Sequence, residues 1–438
     1  MIESFGSLCL EFGGQRVMQV LQVNFSDFGG GGGGAIAMYR LCQGLAPLDV
    51  DCKIISKVKT LNSDQSDVMP RYRVLEGVAK KLTQSLGLND IHTISTFRLK
   101  QHPFFQGADL LNLHIIHSDY FNYLALPVLT AHKPAVFTLH DMWAFTGHCA
   151  YSYDCSRWQT GCGACPYPDT YPSVQHDRTA LEWRLKQWAY SRANLTIVTP
   201  SRWLMEKAQT SMLSAFPIQH IPNGLDVQAY APIDKTLARQ ALNLPTDRYI
   251  VMSCAESLGD RRKGMALLVK SLNQLPTDIK ANTVLLLMGN RSEAIDRALQ
   301  IPTVALGYVT SDRLKALAYS AADAFLFPTR ADNLPLVLQE SMACGTPMVS
   351  FQVGGVPDLV RPDITGLLAM PEDIDAFTAH TVTLLKDEDY RQKLAFNCRK
   401  TAVDEYSIEL QARRYKTLYE SLLCAPSETR DRAKTRTQ

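Results

Sequence analysis

Two acids stand eight positions apart, Asp332 and Glu340, in the stretch D-N-L-P-L-V-L-Q-E-S-M-A-C-G-T-P (332–347). The first lies in a loop ahead of Pro335, a residue that suits the first turn of a helix. The second falls inside that helix, which Gly345 and Pro347 should end. Upstream, A-D-A-F-L-F-P-T (322–329) is a short apolar run of the kind that forms a buried strand. Strand, polar loop and helix N-terminus in that order present backbone N–H groups and a positive dipole end to an anion. Glu340 lies roughly 7–8 Å beyond Pro335 along the axis, at 1.5 Å per residue. A phosphate at the helix end would then have its ribose beside Glu340 and an attached sugar beside Asp332. An ordinary strand–loop–helix with surface acids shares this spacing.

Three other groups compete for the chemistry. Arg261, Arg262 and Lys263 precede Gly264 just after a strand, and such cations suit a departing diphosphate as well as they suit a solvated loop. His140 ends the apolar run V-F-T-L-H, which puts an imidazole at a strand's carboxyl end, where a structural histidine is equally at home. Six glycines, 29–34, separate the strand at 16–25 from a helix beginning near Ala35. A flexible linker seldom sits at such a junction, whereas glycine there lets backbone approach a ligand closely. Gly32 and Gly33 are therefore candidate ligand contacts. The run meets a dinucleotide fingerprint only trivially, and the acid expected after the second strand is missing. Three D-x-D triplets (49–51, 373–375, 387–389) fall in polar connectors and are read as chance.

Residues 147–166, G-H-C-A-Y-S-Y-D-C-S-R-W-Q-T-G-C-G-A-C-P, hold four cysteines. Cys149, Cys155, Cys162 and Cys165 suffice for a closed, structural zinc site, with C-x-x-C as the stronger half. An iron–sulfur cluster, two disulfides or four free thiols would use the same residues. Further on, 178–192 is helical in pattern: Leu181, Leu185 and Trp188 make a stripe, and Arg184, Lys186 and Arg192 add positive charge. Such a helix can pack on its own domain or rest on a membrane surface.

These groups need a scaffold. The 438 residues hold two or three domains' worth of chain, and 45 basic against 43 acidic residues speak against a nucleic-acid partner. The opening residues carry acids and no long apolar core, so no secretory signal is expected, and no run of 18 apolar residues spans a membrane. Eleven cysteines then point to a reducing, cytoplasmic setting. Strands are expected at 16–25, 51–57, 109–116, 135–140, 195–200 and 218–221, and again at 248–254, 282–289, 303–309, 324–328 and 347–353. Helical stretches alternate with them, which predicts an α/β chain of two facing Rossmann-like domains with mostly parallel sheets. The expected boundaries are 1–222, with the Cys-rich insertion at 147–166, and 223–424, whose last helix could pack back on the first domain. A polar tail at 425–438 is expected to be disordered.

The chain resembles the family-4 retaining glycosyltransferases of the GT-B fold over nearly its whole length. Asp332-x7-Glu340, with Asn333, Leu334 and Pro335 after the first acid, is similar to the family's E-x7-E motif. G-T-P-M-V-S (345–350), G-G-V-P-D-L-V (354–360), I-P-N-G-L-D (221–226) and T-P-S-R-W-L (199–204) continue the likeness. H-D-M-W-A-F-T-G-H-C and the cysteine run resemble a subgroup of exopolysaccharide or colanic-acid-type assembly. The resemblance implies that Glu340 holds the nucleotide ribose, Asp332 the donor sugar and Lys263 the diphosphate, with His140 at the active site. The family's companion arginine falls near Ser257 or Leu258, so that role is absent or has moved to Arg262 or Arg261, and Asp332 is one methylene shorter than the usual Glu. The resemblance further implies a nucleotide-sugar donor, a glycan or lipid-linked acceptor and no metal needed for catalysis; the expected setting is the cytoplasm, with the 178–192 helix leaving open peripheral contact with the inner face of a membrane. An epimerase of the same architecture, or an inactive homologue serving as a binding subunit, are the alternatives.

Overall fold

The computed structural model describes residues 17–257, 260–290 and 297–424. The opening residues, Leu258 and the tail at 425–438, about which the sequence raised expectations, lie outside the described residues. Contacts divide the chain into two units. The first comprises residues up to 200, then 205–221 and the chain from 411 on; the second comprises 201–204 and 222–410.

The first unit is built on seven strands: β1 (Met18–Ser26), β2 (Val50–Val58), β3 (Ser66–Val68), β4 (Leu110–Leu113), β5 (Ala135–Thr138), β6 (Leu195–Thr199) and β7 (Ile218–His220). Their order is β3-β2-β1-β4-β5-β6-β7, and every pairing is parallel. The second unit has six: β8 (Tyr249–Ser257), β9 (Thr283–Asn290), β10 (Thr303–Gly307), β11 (Ala324–Phe327), β12 (Met348–Phe351) and β13 (Gly366–Ala369). Their order is β10-β9-β8-β11-β12-β13, again all parallel. The expected α/β fold of two Rossmann-like units with parallel sheets is the fold observed. Strands β4, β5, β6, β11 and β12 are buried at every residue, as parallel strands covered on both faces must be.

Six helices serve as landmarks along the chain: α1 (Gly32–Leu45), α2 (Arg73–Ser85), α3 (Thr179–Tyr190), α4 (Met265–Asn273), α5 (Leu336–Ala343) and α6 (Ile408–Cys424). Each sheet order reverses once, between β1 and β4 in the first unit and between β8 and β11 in the second. Beyond the carboxyl ends of strands at such a reversal the flanking connections diverge and leave a crevice for a ligand. In the first unit these ends lead into the glycine run and His114; in the second they lead into Arg261–Lys263 and Thr329–Asp332. From Gln411 on, α6 belongs to the first unit, where Ala412, Tyr415, Leu418 and Tyr419 join Val20, Leu110 and Val198 in one core. Among the described residues no helix is long and apolar enough to cross a membrane.

Candidate active site

The carboxyl end of the second sheet gathers most of the expected residues. After β8 the chain makes a single 3-10 turn, Arg261–Lys263, capped by the Asp260 side chain accepting from the Arg262 N–H. Gly264 follows at φ 69°, and a Cβ there would stand 1.8 Å from the Pro328 carbonyl oxygen. Only glycine lets the start of α4 close down on the end of β11. That closeness sets Lys263 and Arg262 against the loop carrying Asp332. Lys263 Nζ donates to Asp332 Oδ2 at 2.8 Å and Arg262 Nη1 to Oδ1 at 3.0 Å, while Thr329 Oγ1 donates to Oδ2 at 2.9 Å. Burial alone would raise the Asp332 pKa, but Lys263 and Arg262 outweigh it and hold the carboxyl below its ordinary range. Of the two arginines considered from sequence, Arg262 is the one whose guanidinium meets Asp332.

Asn333, Leu334 and Pro335 lead into α5, with Pro335 as its N-cap. The Asn333 side chain accepts from Ser201 Oγ, and Gly355 N–H donates to the Asp332 carbonyl at 3.0 Å, so the loop is fixed from both sides. α5 is buried almost all round. Gln339 donates to the Asn223 carbonyl at 2.6 Å, and Glu340, 3% exposed, accepts from the Tyr319 hydroxyl at 3.3 Å. A carboxylate in a helix otherwise built for burial costs stability unless it is partnered, as Glu340 is by Tyr319.

The first unit places its groups in the same way. Gly32, Gly33 and Gly34 form the first turn of α1 rather than a loop, with Gly31 as N-cap. A Cβ at Gly34 would lie 2.6 Å from Ile115 Cδ1 and 3.3 Å from His140 Cγ, so the bare helix start packs directly on the histidine. Asp27 anchors the approach to that turn by accepting from Thr60 N–H, Leu61 N–H and Ser66 Oγ at 2.7–3.0 Å. His140 Nε2 lies 2.9 Å from His114 Nδ1, and His114 Nε2 lies 2.8 Å from Gln22 Oε1. Burial pushes the His140 imidazole down to about 4, against the opposing pull of Asp141, and burial also holds His114 well below its ordinary value. Two stacked imidazoles out of water therefore stay neutral. Beside them His117 Nε2 lies 3.1 Å from Asp141 Oδ2. Sequence reasoning passed over His114, His117 and Asp141, although His114 follows β4 much as His140 follows β5.

The cysteine run has a core of its own. Trp158 is buried against Phe145, its indole N–H donates to the Cys155 carbonyl, and Trp183 Nε1 donates to the Trp158 carbonyl at 2.9 Å. Cys162 Sγ accepts from Gly147 N–H at 3.2 Å, and Cys165 Sγ lies 3.2 Å from His148 Nε2. Burial pushes the Cys149 thiol up to about 12 and that of Cys162 to about 11. Among the described residues no group of three or more His, Cys, Asp or Glu side chains is placed to hold a metal ion. Aromatic packing and single thiol contacts hold the loop in this arrangement.

α3 also departs from its sequence pattern. Leu181 and Trp188, two of the three residues of the expected stripe, are exposed, while Lys186, counted among its charges, is fully buried. Its ammonium donates to the carbonyls of Trp143 at 2.8 Å and Thr146 at 3.1 Å, and lies 3.5 Å from the Trp143 ring centroid. The lysine fastens the segment that follows His140, and these partners compensate its burial.

The two halves of the chain match two family models: Glycosyltransferase Family 4 over residues 31–229 and Glycosyl transferases group 1 over residues 234–401. A curated relative, the putative colanic acid biosynthesis glycosyl transferase WcaC of Escherichia coli K12, is 28% identical over 255 residues, 56% of this chain and 60% of that protein. The chain thus spans about three fifths of the length of the curated relatives it first matches. Among solved structures, sucrose-phosphate synthase of Thermosynechococcus elongatus superposes with a TM-score of 0.68 at 20% identity, covering 93% of this chain and all of that one. Anabaena HepE, solved in complex with UDP and glucose, gives 0.63 at 17% identity, covering 92% of this chain and all of that one. At these identities the structural likeness speaks for the fold. With the two domain models in tandem on two parallel-sheet units, the chain belongs to the glycosyltransferases of the GT-B fold.

Proposed function

We propose that the protein is a retaining glycosyltransferase that moves a sugar from a nucleotide-sugar donor to a hydroxyl of a glycan or lipid-linked acceptor, in the assembly of a cell-surface polysaccharide. The observation that carries the reading is the Lys263–Asp332–Arg262 cluster beside α5, with Glu340 buried in that helix. Lys263 and Arg262 share Asp332, and Arg262 also meets Asp260 at 3.3 Å, so both cations are held in place where the second sheet opens. A donor's diphosphate would find Lys263, Arg262 and the first N–H groups of α5, with Asn333, Leu334 and Pro335 shaping the wall. Glu340 would accept from ribose hydroxyls and Asp332 from a hydroxyl of the sugar. The names of WcaC and of the HepE complex, which holds UDP and glucose, support the polysaccharide setting and the donor class.

As the glycosidic bond lengthens, negative charge grows on the leaving diphosphate, and the fixed cations stabilise it more than they stabilise the intact donor. The sugar takes on oxocarbenium character, and the acceptor oxygen attacks from the face the diphosphate is leaving, which retains configuration. The leaving phosphate oxygen accepts the hydroxyl proton. A neutral His140, packed on the bare turn at Gly34, is the first unit's candidate catalytic group.

The test is incubation with UDP-, GDP- and ADP-sugars, with and without oligosaccharide and lipid-linked acceptors, following nucleotide release and the anomeric configuration of the product. Acceptor-dependent release with retained configuration is expected. An altered sugar without release would assign an epimerase, and silence across the panel a binding subunit.

A further inference from the structure

His140 is the open end of a hydrogen-bonded row that crosses three strands. β1, β4 and β5 are neighbours in the first sheet, and the row takes Gln22 from within β1, His114 from just after β4 and His140 from just beyond β5. Gln22 is fully buried, His114 is 3% exposed, and His140 keeps part of its surface open. The links are short: 2.8 Å between Gln22 Oε1 and His114 Nε2, and 2.9 Å between His114 Nδ1 and His140 Nε2. Behind Gln22 lie Cys52 Sγ, 3.5 Å from its amide nitrogen, and the hydroxyl of Tyr419, which α6 carries in. That hydroxyl accepts from Asn112 Nδ2 at 2.9 Å, and Asn112 Oδ1 accepts from Thr138 Oγ1 at 2.9 Å, so the inner end of the row is anchored in the core.

Such a row has a direction. Burial keeps both rings neutral, and a neutral imidazole donates from one nitrogen and accepts at the other. Each bond therefore fixes the next. Where His114 Nε2 carries the proton, its Nδ1 is bare, and His140 must donate to it from Nε2. Turning the Gln22 amide end for end would reverse every bond. The surroundings of Gln22 oppose that reversal. Its nitrogen has two N–H groups and two acceptors within reach, the Cys52 sulfur and the Tyr419 oxygen, whereas its oxygen meets His114 alone. A turned amide would set the nitrogen against His114 and leave its second N–H buried without a partner, which costs free energy.

We infer that Gln22 and His114 are positioning residues that hold His140 as the Nε2–H tautomer, so that the accepting nitrogen of His140 is Nδ1. Any bond between that nitrogen and a substrate hydroxyl is then one that the hydroxyl donates. The inference rests on the proposed transfer reaction only for the role of His140, since the tautomer is a property of the free protein.

The experiment is NMR of the full chain labelled with 15N-histidine, without substrate, at pH 7. Long-range proton–nitrogen spectra separate protonated from bare ring nitrogens, and His114→Asn and His140→Asn assign the two rings. The proton is expected on Nε2 of both. Gln22→Leu removes the acceptor at the inner end. A buried N–H without a partner is worse than a bare ring nitrogen there, so the His114 proton should move to Nδ1 and drive His140 to the Nδ1–H form. With the donor and acceptor that the panel identifies, the same variant should lower kcat by about tenfold and leave KM within about threefold. A wild-type His140 with its proton on Nδ1, or on both nitrogens, overturns the inference. So does a Gln22→Leu protein, folded by its circular dichroism melt, whose His140 stays Nε2–H, or one whose tautomer reverses with kcat unchanged. Should Gln22→Leu fail to fold, the wild-type spectrum decides alone. An Nε2–H His140 in a protein silent across the sugar panel would refute the transfer reading and leave the tautomer assignment standing.

Discussion

Asp332→Asn separates the ion pairing seen at this side chain from the sugar binding proposed for it. The carboxylate neutralises Lys263 and Arg262 in the free protein, and in the proposed complex it holds the donor sugar. Removing one partner of a fully buried ion pair costs about 3–5 kcal/mol, and an exposed pair is worth about 0.2–1 kcal/mol. The side chains of Asp332, Lys263 and Arg262 are 11%, 18% and 25% exposed, which places the loss between these limits, at about 2 kcal/mol. For a unit of this size that is a fall of about 4–8 °C in melting temperature. Because the folded carboxyl titrates below its unfolded counterpart, the wild-type advantage is present above pH ~4. It is lost as pH falls through the folded value, so the gap between wild type and variant should close in acid. The variant takes this counter-ion from Lys263 and leaves Arg262 with Asp260, so UDP or GDP should bind it as tightly as wild type or more tightly and restore more of its stability, while sugar transfer falls. Thermal melts with and without nucleotide, at pH 7 and below pH 4, read all of this. An unchanged melting temperature with weakened nucleotide binding would refute the reasoning, for the carboxylate would then not be the counter-ion of these cations.

Two other perturbations test how the site is positioned. Gly264→Ala puts a Cβ onto the Pro328 carbonyl at a positive φ and should cost at least ~3 kcal/mol, with loss of donor binding; a melt within 2 °C of wild type contradicts the close approach. His140 is held down to about 4, so the folded protein binds fewer protons than the unfolded chain between pH 4 and 6.5, and its stability should rise with pH across that window. Denaturant titrations followed by the fluorescence of Trp143, Trp158, Trp183 and Trp188, all in the first unit, should show that slope reduced in His140→Asn. The reduction is up to about 1.4 kcal/mol per pH unit. An unreduced slope would place the titration elsewhere.

Most of the scaffold was legible because parallel strands buried on both faces leave continuous apolar runs in the sequence. β3 and β13 escaped: Ser66–Val68 is a three-residue edge strand, and Gly366–Ala369 begins on a glycine within a loop-like sequence. Asp332, Glu340, Lys263 and Arg262 could be found because each follows a strand or opens a helix. Glycines 32–34 could be found as a place but not as a form, since poor helix formers give no sign that α1's first turn begins among them. The polarity of α3 misleads because a buried Lys186 is stabilised by partners distant in sequence, Trp143 and Thr146, which periodicity does not register. The D-x-D triplets at 373 and 387 have plain uses, for Asp373 and Asp387 cap helices by accepting from Ala376 and Tyr390 N–H groups.

The central claim is that the buried acid of α5 binds the donor. Two hydrogen bonds from ribose hydroxyls to an ionised carboxylate are worth about 3–6 kcal/mol together, or at least a hundredfold in kcat/KM. With the donor and acceptor that the panel identifies, Glu340→Ala should therefore lose at least a hundredfold in acceptor-dependent nucleotide release while keeping the wild-type circular dichroism spectrum. A folded Glu340→Ala protein that turns over within a few-fold of wild type would contradict the account.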